Sequence, residues 1–311
     1  MQLDKTAIAI KQRNLDELLD LSLAVLRRFG PALLQTALLG ALPFALLNGL
    51  LLSSSMVMRG YLFDQDGWLR FRFLVCMAML VYTQAPLAMA GVTIKLGNLM
   101  FGIQSSKQQT LKAIGKQWFS VFGILAMLRG IFPMIALIGG MEYFSLNRDF
   151  ANYVGTFWIS MVAFMIAAIR SVRPFAPEIL FLEKCPLFSL KRKESRNPML
   201  FGQRSKRLHQ AGGELFQASF FAGIVSAVFL LILNLTFVFL VGSLAGAWEW
   251  GWWMDLFFYP LALWAIALWG TILRFLVYMN TRIGAEGWEL ELKLKAEATR
   301  FQDAEAGNRV E

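Results

Sequence analysis

The side chains most able to take part in binding or catalysis in this sequence are polar groups that interrupt long apolar runs. Arg129 lies near the middle of one run, "LAMLRGIFP", while Gln84, Asn234 and Asn48 lie at comparable depth in others. A guanidinium in lipid costs about 2.5–3.5 kcal/mol on insertion scales, so we expect Arg129 to face other helices or to snorkel inward. Two interpretations stay open. One is a structural hydrogen bond between helices, and the other is a site for a lipid phosphate or another anion, whose shape the guanidinium matches.

A second group of charges surrounds the sequence "RPFAPE", whose two prolines should end or bend a helix. Its members are Arg170, Arg173, Glu178 and Glu183. With the orientation argued below, they stand at a cytoplasmic mouth of the bundle. The simpler interpretation is an ion pair between Glu178 and a neighbouring arginine. The sharper interpretation is a gate or a substrate contact.

The sequence lacks the residue sets that most enzymes use. His209 is the only histidine, and the two cysteines, Cys76 and Cys185, have no metal-binding spacing. A metal hydrolase needs clustered carboxylates and histidines, and no serine-nucleophile elbow, phosphate-binding loop or zinc-protease motif occurs. The apolar runs also contain almost no acidic residue, which argues against a proton-coupled carrier. We therefore predict no enzyme, no catalytic residue, no metal site and no cofactor.

The elements that must position these residues are membrane helices. The chain of 311 residues is 57% hydrophobic and only 16% charged, whereas soluble domains carry about 25% charged residues. Its apolar runs reach the ~20 residues that a helix needs to cross a bilayer. We predict an all-α, polytopic membrane bundle with spans at about 31–53, 71–92, 119–140, 153–173, 217–241 and 256–279.

Basic residues are concentrated in alternate connecting segments. Segments 1–30, 93–118, 170–215 and 280–311 contain 24 lysines and arginines, whereas the intervening connections contain 4. The positive-inside rule then places both termini in the cytoplasm. A basic inner face favours anionic lipid headgroups, so we predict membrane lipids as partners and no nucleic acid. The tryptophans of "AWEWGWWMD" are typical of an aromatic belt at the opposite interface, and a binding patch there is the alternative.

Three basic amphipathic stretches precede the first, third and fifth predicted spans, with Gly30, Gly115 and Gly212–Gly213 near the junctions. Such a stretch can lie in the interface, and glycine lets the chain turn steeply. We hypothesise three tandem units, each an interfacial re-entry helix followed by a membrane hairpin. The alternative is that any inner loop entering a membrane has this pattern. Residues 1–30 are then an interfacial segment, 31–279 a membrane domain with a basic loop at 174–216, and 280–311 a cytoplasmic tail.

The segment "RPFAPEILFLEKCPLFSLKRKESRNPMLFGQRSKRLHQAGGELF" resembles the loop after the fourth span in a broad group of bacterial membrane proteins. These are the YciC-like proteins, also described as the glycerophosphoryl diester phosphodiesterase membrane domain. The similar features are an apolar stretch ending in Glu183 and a basic segment, Arg204-Ser205-Lys206-Arg207-Leu208. "LDELLDLSLAVLRRFGPALL" and "YMNTRIGAEGWELEL" are similar as well, although the interval from Glu183 to Arg204 is longer and more polar than in the family. The resemblance implies six spans in a bacterial inner membrane and little mechanism, since the family's function is largely unknown.

The tail "TRIGAEGWELELKLKAEATRF", residues 281–301, alternates strictly between apolar and charged residues from Trp288 to Lys295. A period of two is typical of a strand, but no other segment reads as a strand that could pair with it. Its glutamates, leucines, lysines and alanines favour a helix. Helix and extended chain both stay open, with Gly284 or Gly287 as the break after the last span. We expect the tail to dock on the bundle, the membrane or a protein partner.

Two functions fit these features. The first is a non-catalytic scaffold, assembly factor or envelope-maintenance protein whose basic inner face and tail bind lipids or a partner. The second is a transporter or lipid-handling protein with an anion or lipid-phosphate contact at Arg129. The second function requires a polar cavity that reaches Arg129 from one side of the bundle, and a dry bundle around Arg129 would exclude it.

Overall fold

The computed structural model describes residues 11–54, 67–100, 102–103, 106–116, 122–145, 151–186, 199–211, 215–248 and 250–287. Every regular element within these ranges is a helix, and no strand occurs in them. The all-α prediction is therefore confirmed. The alternating stretch 288–295 lies outside the described residues, as does the chain that follows it.

The described helices follow one another along the chain. They are α1 (Leu15–Ser54), α2 (Gly67–Ala88), α3 (Ala90–Met100), α4 (Lys107–Lys116), α5 (Phe122–Ile131), α6 (Phe132–Ser145), α7 (Ala151–Val172), α8 (Ala176–Glu178), α9 (Ile179–Glu183), α10 (Phe201–Ala211), α11 (Leu215–Ala245), α12 (Met254–Phe258) and α13 (Tyr259–Glu286). Helices α5, α9 and α12 have the wider hydrogen-bonding pattern of π-helices. Helix α2 continues into α3 across Met89, whose amide donates to the Ala85 carbonyl at 2.9 Å.

Within the described residues, four helices are long and apolar enough to cross a membrane: Leu15–Leu52, Arg70–Ala88, Ser219–Ala245 and Met254–Glu286. Each of them contains or overlaps one predicted span, 31–53, 71–92, 217–241 or 256–279. The predicted span 119–140 falls on α5 and α6, and the predicted span 153–173 falls on α7, where the apolar stretch Val154–Ala168 is shorter. The chain is a multi-pass helical protein by the length and composition of its helices.

The predicted turn at Gly30 is wrong. Helix α1 runs without a break for 40 residues through Gly30 and Pro31, a length of about 60 Å at 1.5 Å per residue. Its first half packs on α13: the Trp269 indole donates to the Ser22 hydroxyl at 2.9 Å, and Asn280 bonds both the amide and the carbonyl of Arg13. Glycine in a helix costs only about 1 kcal/mol relative to alanine, so this packing keeps the helix continuous.

The predicted turns of the other two re-entry stretches are not both described. Gly115 lies inside the short helix α4, and Gly212 and Gly213 lie outside the described residues. Gly284 continues α13, whereas Gly287 ends it in a left-handed conformation with φ 67°, which glycine adopts without a steric penalty. Of the two glycines predicted to end the last span, Gly287 is therefore the one that does so.

The core lies where α1, α2, α3 and α13 pack together. Leu33, Leu80 and Ile272 are 0% exposed in this core, as apolar side chains facing neighbouring helices should be. Helix α13 rises about 42 Å from Tyr259 to Glu286 at 1.5 Å per residue. Its two termini therefore define opposite ends of the bundle, which we call the tryptophan end (residues 248 and 250–259) and the charged end (residues 178–185, 201–208 and 278–286).

Candidate functional site

A row of polar side chains on α13 leads into the charged end. Arg274, Tyr278, Arg282 and Glu286 are spaced four residues apart, and four residues advance a helix by about 40° beyond one full turn. They therefore lie on one face of α13 and form a polar ladder. Arg282 donates from Nη2 to the Glu286 carboxylate at 2.8 Å within this ladder.

Helix α10 and the end of α9 attach to this ladder through a buried cluster of charges. Arg204 of α10 donates to both carboxylate oxygens of Glu183, one of them at 2.7 Å, and it also donates to Glu286. The Tyr278 hydroxyl donates to Glu183 at 2.5 Å. Arg282 lies 3.5 Å from the same carboxylate. We call Glu183, Arg204, Tyr278, Arg282 and Glu286 the ion-pair cluster.

The electrostatics of the ion-pair cluster indicate a structural clamp. Burial alone would lower the pKa of the Arg204 guanidinium, but the hydrogen bonds and charges of Glu183 and Glu286 outweigh burial and raise that pKa above its usual value. The two carboxylates and two guanidiniums balance in charge, and the Arg204 and Glu183 side chains are 9% and 11% exposed. A balanced, buried set of charges offers no free nucleophile and no net charge for a substrate.

Cys185 borders the ion-pair cluster without adding reactivity to it. Its thiol lies 3.8 Å from the Glu183 carboxylate. Burial, together with the negative charge of Glu183, raises the pKa of the Cys185 thiol. Because the thiolate is the reactive form of cysteine, this environment keeps the thiol protonated and inert.

Glu178 forms a separate ion pair one layer deeper in the bundle. Helix α7 ends just before Pro174 and Pro177, as predicted. The chain then turns so that Glu178 faces α13. Arg274 donates from Nε to Glu178 Oε1 at 2.7 Å, and the two side chains are 16% and 0% exposed. Glu178 pairs with an arginine, but this arginine is on the last helix and is not one of the neighbouring arginines that the sequence interpretation named.

Arg170 compensates for a proline in α2. Pro86 has no amide hydrogen, so the carbonyl of Tyr82, four residues earlier, loses its helical donor. Arg170 Nη1 donates to that carbonyl, and the guanidinium lies over the Tyr82 ring, 3.7 Å from the centroid. Neighbouring helices can satisfy carbonyls that prolines free inside spans, and α7 does so here.

The four residues predicted at the mouth therefore have four different partners. Arg170 contacts α2, and Arg173 lies over the Phe201 ring at 5.4 Å from its centroid. Glu178 and Glu183 join different arginines. They occupy one end of the bundle but do not form a single cluster. The residues missing from that prediction are those of the α13 ladder, which the spacing of four would have revealed.

Arg170→Met is expected to lower the free energy of unfolding by about 2 kcal/mol, because the Tyr82 carbonyl would lose a hydrogen bond from a charged donor. Pro86→Ala supplies a backbone amide for that carbonyl, so the same Arg170→Met change should cost much less in the Pro86→Ala background. Denaturation of both single variants and the double variant in detergent measures this coupling. Equal costs in the two backgrounds would show that Arg170 does not act through the Tyr82 carbonyl.

The predicted polar site at Arg129, Gln84 and Asn234 is only partly described. The backbone of Arg129 belongs to α5, and its side chain lies outside the described atoms. Gln84 Nε2 donates to Asn48 Oδ1 at 2.6 Å and joins α2 to α1. Asn234 instead donates to the Leu230 carbonyl of its own helix at 2.7 Å. Gln84 thus makes an interhelical hydrogen bond, with Asn48 as its partner.

The tryptophan end contains a further buried carboxylate, which the sequence interpretation missed. Asp255 is 0% exposed and accepts from Arg70 Nε at 3.0 Å and from the Trp250 indole at 2.5 Å. Arg70 also donates to the Trp250 carbonyl. These bonds tie α12 and the connection before it to the start of α2. Around them, Trp252 and Trp253 are half exposed and stack on each other, 3.9 Å between ring centroids.

Comparison of the chain with protein-family models, with curated proteins and with solved structures gives no match. The resemblance to the YciC-like group therefore depends on the residues quoted above alone. Among the described residues, no group of three or more histidine, cysteine, aspartate or glutamate side chains is placed to hold a metal ion. Function has to be argued from the geometry of the bundle itself.

Proposed function

We propose that this chain is a non-catalytic protein of a bacterial inner membrane, with six spans and both termini in the cytoplasm. Four spans are the long apolar helices, and α5–α6 and α7 supply the other two. The 22 residues of α7 reach about 33 Å at 1.5 Å per residue, which is enough for a hydrocarbon core of about 30 Å. The distribution of 24 against 4 basic residues supports the orientation.

The proposed role is that of a scaffold for envelope assembly or maintenance, whose charged end is a rigid basic platform. The observation that supports it is the way the ion-pair cluster fixes α10. Phe201 and Leu208 are buried against the bundle, whereas Lys206 and Arg207 are exposed on the opposite side of the helix. A clamped helix that exposes basic side chains binds acidic groups without the entropic cost of ordering a loop. The expected ligands are anionic lipid headgroups, and a protein partner bound through 281–301 stays a prediction.

Lys206→Gln combined with Arg207→Gln is expected to weaken stabilisation of the protein by phosphatidylglycerol. Each basic residue near an anionic surface contributes about 1 kcal/mol, and a ligand that binds the folded state raises the melting temperature. The measurement is the shift in melting temperature when phosphatidylglycerol, and separately phosphatidylcholine, is added to detergent-purified protein. Gln203→Ala with Gln210→Ala, two exposed uncharged positions on the same helix, is the control. Equal phosphatidylglycerol shifts in both double variants would contradict the platform.

A second candidate function is a transporter or lipid-handling protein with an anionic contact at Arg129. The observation that favours it is the Asn48–Gln84 pair, with both residues at least 95% buried between α1 and α2. Buried polar groups inside a membrane bundle commonly line solute or ion pathways. This function requires a hydrated interior, whereas the scaffold does not.

A further inference from the structure

The Asn48–Gln84 pair makes half of the hydrogen bonds that it could make. Two side-chain amides can exchange two hydrogen bonds, but here only Gln84 Nε2 donates to Asn48 Oδ1. Asn48 Nδ2 and Gln84 Oε1 are buried and have no partner among the described residues. Their side chains belong to residues that are 1% and 5% exposed. The pair therefore leaves one donor and one acceptor open inside the bundle.

The Glu178–Arg274 pair also makes one of two possible hydrogen bonds. A guanidinium and a carboxylate can form a fork of two parallel hydrogen bonds. Here Arg274 Nε donates to Glu178 Oε1 at 2.7 Å, while Arg274 Nη2 and Glu178 Oε2 are buried and unbonded within the part of the chain that the structure describes. Glu178 is 0% exposed. A second open donor and a second open acceptor thus belong to one ion pair.

Other polar groups lie near the Glu178–Arg274 pair and beyond it. Arg170 bonds the Tyr82 carbonyl, two residues from Gln84 on α2, and its charge interacts with those of both Glu178 and Arg274. From Arg274 the α13 ladder continues through Tyr278 to the ion-pair cluster at the charged end. On the other side of Gln84, α2 continues with Leu80, Met77 and Phe73, which are buried and apolar. Arg72 and Trp264 are buried polar side chains nearer the tryptophan end, so this apolar stretch is limited to the face of α2 that carries Gln84.

We propose that water occupies this series and forms a hydrated half-path from the charged end to Asn48 and Gln84. A water molecule both donates and accepts hydrogen bonds, so it matches an open donor beside an open acceptor. An anion fits neither pair, because Gln84 Oε1 and Glu178 Oε2 are acceptors that would repel it. The half-path does not depend on the platform proposed above, and it supplies the hydrated interior that the second candidate function requires.

Access of silver ions to engineered thiols tests the half-path. Silver ions travel in water and react with thiolates, and a thiol in a dry apolar site stays protonated and unreactive. In a background with Cys76→Ala and Cys185→Ala, the test positions are Gln84→Cys and Asn48→Cys. The matched controls are Leu80→Cys and Leu52→Cys, one helical turn away on the same helices and 0% and 1% exposed. Protein in lipid nanodiscs is treated with silver nitrate, unfolded, and its free thiols are counted by maleimide labelling.

The expected result is loss of maleimide labelling at positions 84 and 48 and full labelling at positions 80 and 52. Full labelling at all four positions would overturn the proposal. If a variant does not elute as a single species, radiolytic footprinting of the unmodified protein is the alternative measurement. Met134, whose sulfur lies 3.8 Å from Gln84 Nε2, should then be oxidised faster than Met79, a methionine of similar exposure on α2. Equal oxidation of the two methionines would also overturn the half-path.

Discussion

Arg204→Ala is expected to lower the free energy of unfolding by about 3 kcal/mol, the low end of the range for removing one partner of a buried ion pair. The substitution leaves Glu183 and Glu286 facing each other without the guanidinium that joins them. Arg282, 3.5 Å from Glu183 and 2.8 Å from Glu286, compensates in part, which places the loss at the low end. Titration of the folded protein with a denaturing detergent, followed by tryptophan fluorescence, measures the change.

Arg207→Ala is the control for this prediction, because Arg207 is an exposed arginine on the same helix. Exposed substitutions usually change stability by less than about 0.5 kcal/mol. Hydrogen–deuterium exchange should also separate the two variants, since only Arg204→Ala releases α10 from α13 and exposes its amides. If both variants have the same stability and the same exchange in α10, the ion-pair cluster does not clamp that helix.

The helical class and four of the spans were predictable because they depend on local properties of the chain. A long apolar run must form a helix in a membrane, since every backbone group needs an internal partner. The extent of α1 was not predictable in this way. Gly30 predicts a turn from local sequence alone, whereas the continuous helix packs through Ser22 on Trp269, more than 200 residues later.

The candidate site shows the same division between local and distant information. The prolines of "RPFAPE" correctly predicted that the chain turns before Glu178. An ion pair between Glu178 and a neighbouring arginine was one of two interpretations of the sequence. The sequence could not choose Arg274 over the nearer Arg170 and Arg173, since that choice depends on how α8 packs against α13. The ladder on α13 was readable from its spacing, but Asp255 and its partner Arg70 had no local signal that linked them.

Gly40→Ala is expected to destabilise the protein by about 3 kcal/mol or more, through overpacking of a tight helix contact. A Cβ atom at Gly40 would overlap the carbonyl oxygen of Ala88, which is part of the backbone of α2. Backbone cannot move aside as a flexible side chain can, so α1 and α2 would have to separate. Small residues at membrane-helix crossings serve this close approach. Separation would also stretch the Asn48–Gln84 hydrogen bond, which joins the same two helices.

Gly49→Ala makes the identical change nine residues later on α1, where an added Cβ would meet nothing within 4 Å. Alanine stabilises a helix by about 1 kcal/mol relative to glycine, so Gly49→Ala should be neutral or stabilising in the same detergent titration. The gain in helix propensity is the same at both positions. Opposite signs of the change in stability therefore report the contact between Gly40 and Ala88. A stabilising effect of Gly40→Ala would mean that α1 and α2 are farther apart at this crossing than the structure places them.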